Sequence, residues 1–213
     1  MRMSDKEKTY HEIREGIITT RIKPGERLKE KELMEEYGIG RTPLREIAFQ
    51  LRQEGLIEII PKVGTHVTQI EIQEIRSVIE VRRWLEQLVG LLATERITDE
   101  QLTELQGIID AVDRLAPAGR TEVDALNRYD IRFHNILYQA TGNQELQEIL
   151  PRLMSKMTRF WYYLGFQAAE FLAHFDDLRG LLAALEKRDT KGVQRALDDH
   201  MDHFVKKVKQ QIL

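Results

Sequence analysis

The sequence predicts a mainly α-helical protein of two domains, an N-terminal winged helix-turn-helix and a C-terminal antiparallel bundle of six or seven helices. The prediction rests on a change along the chain in the length of the elements and in the frequency of Gly and Pro. From residue 10 to residue 67 the elements are short and Gly and Pro are frequent, whereas from residue 72 onward long amphipathic helices follow one another without strand-like alternation. No stretch rich in Pro, Gly or Ser separates the two parts, so we expect tightly joined domains over 1–70 and 71–213.

Composition and charge exclude several classes of protein. The 213 residues include no cysteine, which excludes disulfides and thiolate metal sites. No apolar run approaches the roughly 18 residues that cross a bilayer, and the first residues lack the apolar stretch of a secretory signal, so we expect a cytoplasmic protein. Residues 1–70 hold 13 Lys or Arg against 12 Asp or Glu, so any case for nucleic-acid binding depends on where the basic residues lie.

Turn residues and helical spacing divide the first domain into three helices and a β-hairpin. Pro24-Gly25 marks the turn after the first helix, and Gly38 and Gly55 close the second and the third. A four-residue Pro-Lys-Val-Gly turn joins the two strands of the hairpin. The predicted elements, in chain order, are a helix whose apolar positions span 10–18 and which ends before residue 23, helices over 30–37 and 43–54, and strands over 56–60 and 65–68.

The third helix begins in the segment Gly-Arg-Thr-Pro-Leu-Arg. Thr42 is a good N-cap, and Pro43 then takes the first helical position, where its missing N–H costs nothing. The residues at helical spacing that face the domain core are Leu44, Ile47, Ala48 and Leu51. We therefore expect Arg45, Phe49 and Arg52 to point away from the core.

Basic residues occupy the places where a winged helix meets DNA. Arg41 stands beside the free N–H groups of the helix N-terminus, which also favour anions, and together with Arg45 and Arg52 it suits entry into the major groove. The hairpin tip supplies three further candidates for contacts with the DNA backbone or the minor groove, Lys62, Gly64 and His66. Most surface arginines are merely solvated, but the combination of three helices, a hairpin and these residues favours DNA binding over that alternative.

The second domain shows six amphipathic segments with recognisable helix starts. Examples are Thr98 three residues before Gln101 and Asn143 ahead of Glu145. The predicted helices cover 72–95, 98–115, 121–141, 144–168, 170–187 and 189–211.

An aspartate and two histidines occupy apolar helix faces in this bundle. Asp130 and His134 lie one turn apart on one face, and His200 lies on the apolar face of the last helix. A buried carboxylate needs a charge partner, hydrogen-bond donors or a metal, and these three side chains could supply a divalent-metal site. The alternative is that the histidines are hydrogen-bonded core residues and that Asp130 pairs with Arg82 or Arg83. Spacing alone favours this alternative, because the pattern D-x-x-x-H is common.

The segments K-P-G-E-R-L, Y-G-I-G-R-T-P-L-R-E and E-G-L-I-E-I-I-P-K-V-G-T-H-V resemble the DNA-binding domain of GntR-family transcription regulators, and the resemblance covers residues 8–70. By this resemblance the residues that contact DNA are Arg41, Thr42, Arg45, Arg52, Lys62, Gly64 and His66. The first three would contact operator bases and phosphates, the fourth would lie along the backbone, and the last three would enter the minor groove.

Two positions depart from the usual pattern of that family. Gly40 stands where a serine is common, which implies the loss of a phosphate hydrogen bond. Phe49 stands where a polar or basic residue is common, and it could contact a thymine methyl group. Both departures bear on the operator sequence more than on DNA binding itself.

The second domain resembles the FCD domain, the C-terminal ligand-binding domain of the FadR-like branch of that family, over residues 72–211. The resemblance is carried by E-V-R-R-W-L-E, D-I-R-F-H-N-I-L-Y-Q-A-T-G-N and A-L-E-K-R-D with A-L-D-D-H. Many relatives hold a metal through one Asp and three His beside a small carboxylate effector. Asp130, His134 and His200 fall on three of these positions, whereas Leu178 stands at the fourth and His174 lies one helical turn earlier. The resemblance leaves three outcomes open: a metal site with three protein ligands, a rearranged site that uses His174, or a pocket without metal.

These features predict a homodimeric transcription regulator, most simply a repressor, and not an enzyme. Each subunit would present its winged helix to half of a palindromic operator. The helical domain would bind a small organic acid through Arg82, whose guanidinium suits a carboxylate, with a divalent metal such as zinc or nickel as cofactor. The alternatives are a metal-dependent hydrolase that uses Asp130, His134 and His200, and a structural DNA-binding protein without an effector.

Overall fold

We describe a computed structural model of the chain, which covers residues 4–115 and 123–212. The chain divides into two units, one of Met1–Ile75 with Thr158–Tyr163 and the other of Arg76–Met157 with Leu164–Leu213. The elements, in chain order, are α1 (Asp5–Ile18), β1 (Arg27–Leu28), α2 (Glu30–Tyr37), α3 (Arg41–Gln53), β2 (Ile57–Ile60), β3 (Gly64–Val67), α4 (Ile72–Arg96), α5 (Asp99–Leu115), α6 (Val123–Ala140), α7 (Gln144–Leu164), α8 (Ala168–Glu186) and α9 (Thr190–Ile212). The prediction of a mainly helical protein that begins with a winged helix-turn-helix is confirmed.

The first unit contains α1 to α3 and a small antiparallel sheet. Its strand order is β1-β3-β2, so β3 pairs with both neighbours. The two-stranded wing expected from the sequence is therefore joined by a third strand of two residues. The buried apolar side chains that hold the unit together are Ile13, Ile17, Ile18, Leu28, Leu44, Ile47, Leu51, Leu56, Ile57 and Val67.

Helix α3 begins earlier than the Thr-Pro pair indicated. Its N-cap is Gly40, which has an extended backbone (φ −78°, ψ 171°) and makes no side-chain cap. The prediction that Thr42 caps the helix and that Pro43 takes the first position is therefore wrong. Pro43 lies in the third position, which is equally tolerant because the first four N–H groups of a helix have no partner within it. The apolar face is as predicted, since Leu44, Ile47 and Leu51 are buried and Ala48 is half-buried.

The second unit is all helical in its described residues. The predicted helix over 121–141 starts in residues that lie outside the described part, and α6 is seen from Val123 onward. Helix α7 ends at Leu164, four residues before the predicted end, because Gly165 adopts a left-handed φ of 71° and Gln167 then caps α8. Buried faces of α6, α8 and α9 carry the aspartates and histidines that form the candidate site.

Candidate DNA interface and acid–histidine cluster

Helix α3 presents a row of exposed residues beside its apolar side. Arg41, Arg45, Phe49 and Arg52 are all exposed and follow one another at intervals of four, four and three residues, so they lie on one side of the helix. In the described part of the chain, the three arginines form no hydrogen bond or ion pair through their side chains. Phe49 is 57 % exposed, a large fraction for a phenylalanine.

An acidic residue on this part of the surface, Glu46, forms an ion pair with a lysine of the same unit. Glu46 follows Arg45 on α3, and its carboxylate binds the Lys6 ammonium of α1 at 2.8 Å. Both side chains are about half exposed, so the pair adds little stability. It does offset the negative charge of Glu46 beside the arginines, so the arginine row remains positively charged.

The hairpin tip has the backbone of a tight turn. Lys62 adopts a left-handed φ of 66° and Gly64 a φ of 130°, so the tip holds one non-glycine residue in an unfavourable region. Lys62 is exposed at this tip. A side chain at Gly64 would also meet the Arg27 guanidinium, because a Cβ there would lie 3.1 Å from its Nε atom.

Arg27 is a basic residue beside the wing that the sequence did not single out. It lies on β1, opposite His66 in the register of the sheet, and its side chain is exposed. His66 itself is half-buried, and its Nδ1 atom is buried without a hydrogen-bond partner among the described residues. Only the short strand β1 places Arg27 next to the hairpin, and a strand of two residues has no periodicity that a sequence could reveal.

In the second unit, Asp130 of α6 is the centre of a buried acid–histidine cluster. Its Oδ1 atom lies 2.9 Å from Nε2 of His174 on α8 and 3.3 Å from Nδ1 of His134, one turn along α6. Burial alone would raise the pKa of Asp130, but the charges and hydrogen bonds of both histidines hold that pKa well below its usual range. Burial likewise opposes a charged His134, yet Asp130 raises the pKa of His134. Asp130 is thus an ionised carboxylate in an apolar interior.

His200 of α9 completes the group of imidazoles. Its ring centroid lies 3.9 Å from that of His174 and 5.5 Å from that of His134. Burial, followed by the neighbouring charge of His174, lowers the pKa of His200 to about 3. His200 is therefore neutral at physiological pH, the form in which an imidazole binds a metal ion.

Asp177 of α8 is a member of the cluster that the sequence did not single out. One of its oxygens lies 3.8 Å from Nδ1 of His200, and both oxygens lie 2.9 Å from Nδ1 of the exposed His203. The position was visible in the sequence, because Asp177 follows His174 by three residues and both therefore lie on one side of α8. Leu178, which stands at the usual ligand position of relatives, is fully buried and apolar.

Arg82 of α4 lies inside the bundle and not on the surface. Its guanidinium binds Oε1 of Glu86 at 2.6 Å, and the same oxygen accepts a hydrogen bond of 2.8 Å from the Tyr138 hydroxyl. The direct partner of Arg82 is therefore Glu86 and not Asp130, the partner that the sequence suggested. Burial disfavours the charged guanidinium, but Tyr138 and Glu86 outweigh it and raise the pKa of Arg82 above its usual value. Oε2 of Glu86 is buried without a partner in the described part of the chain.

The donor set of the cluster suits a divalent metal ion. Nε2 of His134 and Nδ1 of His200 are buried nitrogens that make no hydrogen bond to any described residue. A buried nitrogen without a partner is costly unless a ligand satisfies it. Imidazole and carboxylate groups without a thiolate favour first-row ions such as zinc or nickel, so the side chains present fit such an ion.

Comparison with known proteins places both units in described families. Residues 5–67 match the family model of bacterial regulatory proteins of the gntR family, and residues 77–203 match the FCD domain. The chain belongs to the GntR family. It is a DNA-binding transcription regulator with a C-terminal FCD domain, and the resemblance noted in the sequence is confirmed.

Relatives in the GntR family match this regulator along almost its whole length. The HTH-type transcriptional repressor RspR of Escherichia coli is 30 % identical over 206 residues, which cover 94 % of this chain and 87 % of that protein. The HTH-type transcriptional regulator McbR of E. coli is 26 % identical over 198 residues, or 92 % and 88 % of the two chains. The solved structure of E. coli McbR/YncC shares the fold, with a TM-score of 0.86, 23 % identity and full coverage of both chains.

Membership of the GntR family argues against the alternative that the protein is a hydrolase. The relatives are named as transcription regulators, so the alternative of a metal-dependent hydrolase has no support, and the GntR-family protein is not an enzyme. No helix in the described residues is long and apolar enough to cross a membrane.

Proposed function

We propose that this regulator is a homodimeric repressor that works in the cytoplasm. Its winged helix-turn-helix, residues 1–70, binds half of a palindromic operator, and its helical domain, residues 71–213, binds a small organic acid and a divalent metal. The observation that carries the proposal is the row formed by Arg41, Arg45 and Arg52, three exposed arginines that make no ion pair within the described chain. Exposed cations aligned on one helix face and left without acidic partners suit the phosphates and base edges of DNA.

The contacts with DNA divide by role. Arg41, Thr42 and Arg45 lie in the first turns of α3, where a helix enters the major groove, and they contact bases and phosphates. Arg52, two turns further along, lies against the backbone. The wing contributes Lys62, Gly64 and His66 to the minor groove, and we add Arg27 to this group because it is exposed beside Gly64. Phe49, within the arginine row, contacts a thymine methyl group.

Helix α4 supplies a surface for the second subunit. Its exposed apolar residues Val81, Trp84, Leu88 and Leu91 recur at intervals of three, four and three, the spacing of a helix seam that packs against another helix. Trp84 is 77 % exposed, a large area for an unpaired indole.

Charges at the two ends of this seam favour antiparallel pairing with a second copy. Arg76 precedes the seam and Glu95 follows it, and neither forms an ion pair in the part of the chain that the structure describes. Antiparallel copies of α4 bring Arg76 of one chain near Glu95 of the other, whereas parallel copies oppose like charges. A two-fold dimer of this kind presents two winged helices to two half-sites.

The effector and the metal would share the interior of the helical domain. Arg82 offers a buried guanidinium to a carboxylate, at the expense of its pairing with Glu86. We place a divalent metal in the same interior, at the acid–histidine cluster that contains Asp130, His134, His174 and His200. A bound divalent ion would supply a positive charge for the effector carboxylate.

Sequence-specific DNA binding is tested by selection from a random double-stranded pool. The purified protein should enrich a palindromic sequence, and the complex should weaken steeply with salt because phosphate contacts release counterions. Organic acids that raise the melting temperature should then release the selected DNA. A protein that enriches no sequence at low salt would refute the proposal.

A further inference from the structure

The second unit brings three possible metal ligands together in a combination that the family pattern does not contain. One ligand atom from each of His174, Asp177 and His200 lies within 4.8 Å of the other two. Within residues 4–115 and 123–212, no such group of three includes Asp130 or His134. The three close ligands thus come from α8 and α9, whereas two of the ligand positions known from relatives, Asp130 and His134, lie on α6.

We propose that His174, Asp177 and His200 hold the divalent ion in this protein, and that Asp177 supplies the ligand that Leu178 cannot. This assignment rests on the metal binding proposed above and names its ligands. Leu178 is fully buried and has no donor atom, so relatives' fourth position is closed to a metal here. Asp177 precedes it by one residue on α8, and its side chain is 14 % exposed.

Two further side chains hold the proposed ligands in place. Oδ1 of Asp130 lies 2.9 Å from Nε2 of His174, so an Nε2–H group donates to the carboxylate and the other ring nitrogen carries the lone pair that binds a metal. His203 lies 2.9 Å from both oxygens of Asp177 and fixes the orientation of that carboxylate. Asp130 and His203 are then positioning residues. Partners of this kind are typical of metal sites, where histidine ligands are oriented by a carboxylate.

The gap between His200 and Asp177 is the place for the ion. Nδ1 of His200 is buried, makes no hydrogen bond to a described residue, and lies 3.8 Å from Oδ2 of Asp177. That distance is too long for a hydrogen bond, yet it suits two ligands of one ion. Three protein ligands also leave coordination positions open, and an effector carboxylate can occupy one of them.

The test compares two adjacent aspartates. Asp176 is the matched control, because its side chain is 75 % exposed and binds Arg179 at 2.6 Å, away from the cluster. Full-length protein is stripped with a chelator and titrated with Co²⁺ and Zn²⁺, and bound metal is counted by elemental analysis while the visible absorption of Co²⁺ reports the coordination. Circular dichroism melting of the metal-free variants checks that each one folds.

We expect one ion per chain in the wild type and in Asp176→Asn. Asp177→Asn should bind at least about tenfold more weakly and shift the Co²⁺ bands, whereas Asp130→Asn should weaken binding and leave the bands in place. If Asp177→Asn does not fold, Asp177→Glu keeps a carboxylate and should bind with shifted bands. Equal affinity and equal spectra for the Asp177 and Asp176 variants would overturn the ligand assignment. A wild type that binds no ion would overturn the proposed metal itself, and DNA selection would remain an independent test of the regulator.

Discussion

The carboxylate of Asp130 on α6 and the imidazole of His174 on α8 are joined by a buried contact of 2.9 Å. The contact explains how a histidine one turn away from the usual ligand position still enters the cluster. The His174 ring points toward α6, so its Nε2 atom reaches the Asp130 carboxylate directly. Of the three outcomes that the sequence left open, the rearranged site that uses His174 is the one that we propose, and this contact is the observation that supports it.

Acid should destabilise the metal-free protein through His200. The pKa of His200 is lowered to about 3 in the folded chain against about 6.5 when unfolded, so the unfolded state binds more protons below pH 6.5 and stability falls as the pH is lowered. Each pH unit in this window costs about 1.4 kcal/mol, or about 2 kcal/mol at pH 5. Urea unfolding in the presence of a chelator should show this loss between pH 8 and pH 5. The loss should be smaller in His200→Asn, and an identical loss in both proteins would contradict the assignment.

Replacing Arg82 alone should cost more than replacing Arg82 and Glu86 together. Arg82→Met leaves a buried carboxylate without its cation, which typically costs about 3–5 kcal/mol of unfolding free energy. The double variant Arg82→Met with Glu86→Leu removes both charges and should recover most of that loss. Urea unfolding at neutral pH measures the difference. If the double variant is no more stable than the single one, Glu86 is not the partner that decides the state of Arg82.

A charge in the α4 seam should separate the subunits. Leu88→Glu places a carboxylate in the middle of the proposed interface, so light scattering should report the mass of a monomer. Affinity for a palindromic site should fall by about a hundredfold, because the second half-site contact is no longer intramolecular. Ile149→Glu is the control, since Ile149 is 41 % exposed but lies on α7, outside the seam. A dimeric Leu88→Glu variant would exclude this face of α4.

The wing should contribute affinity without sequence preference. Lys62→Ala removes one exposed cation at the hairpin tip and should weaken binding to all DNA sequences alike, with the slope of log affinity against log salt reduced by about 1. Fluorescence anisotropy over a salt series measures both quantities. A change of sequence preference with an unchanged slope would show that Lys62 contacts a base instead.

The apolar periodicity of the sequence predicted the fold correctly, but it predicted the ends of helices and strands less accurately. The apolar spacing of Leu44, Ile47 and Leu51 determined which side of α3 faces the core, and long-range packing agreed with it. The start of the same helix was misplaced by the Thr-Pro pair, because a proline fits any of the first positions and Gly40 needs no side chain to begin the helix. Strand β1 was not predicted, because its two residues are recognisable as a strand only from their pairing with β3 in the folded protein.

The candidate site was predicted in part. Residue types and helix faces led to Asp130, His134 and His200, because polar side chains on apolar faces stand out from their surroundings. Asp177 did not stand out, since two adjacent aspartates followed by Arg179 resemble a solvated surface. Which of the two turns inward depends on how α8 packs against α9. The pairing of Arg82 with Glu86 could have been predicted from the sequence, because opposite charges four residues apart are neighbours on a helix.

The exposed arginine row of α3 is proposed to bind a specific DNA sequence, and replacement of Arg45 is the sharpest test of that contact. Anisotropy should compare the selected site with the same site mutated at one base pair, using the wild type, Arg45→Ala and the control Arg132→Ala, whose side chain is 61 % exposed on α6. We predict that Arg45→Ala loses about 1–3 kcal/mol of discrimination at one position, while Arg132→Ala keeps the wild-type preference. An Arg45→Ala protein that discriminates as well as the wild type would show that the arginine row does not read the DNA sequence.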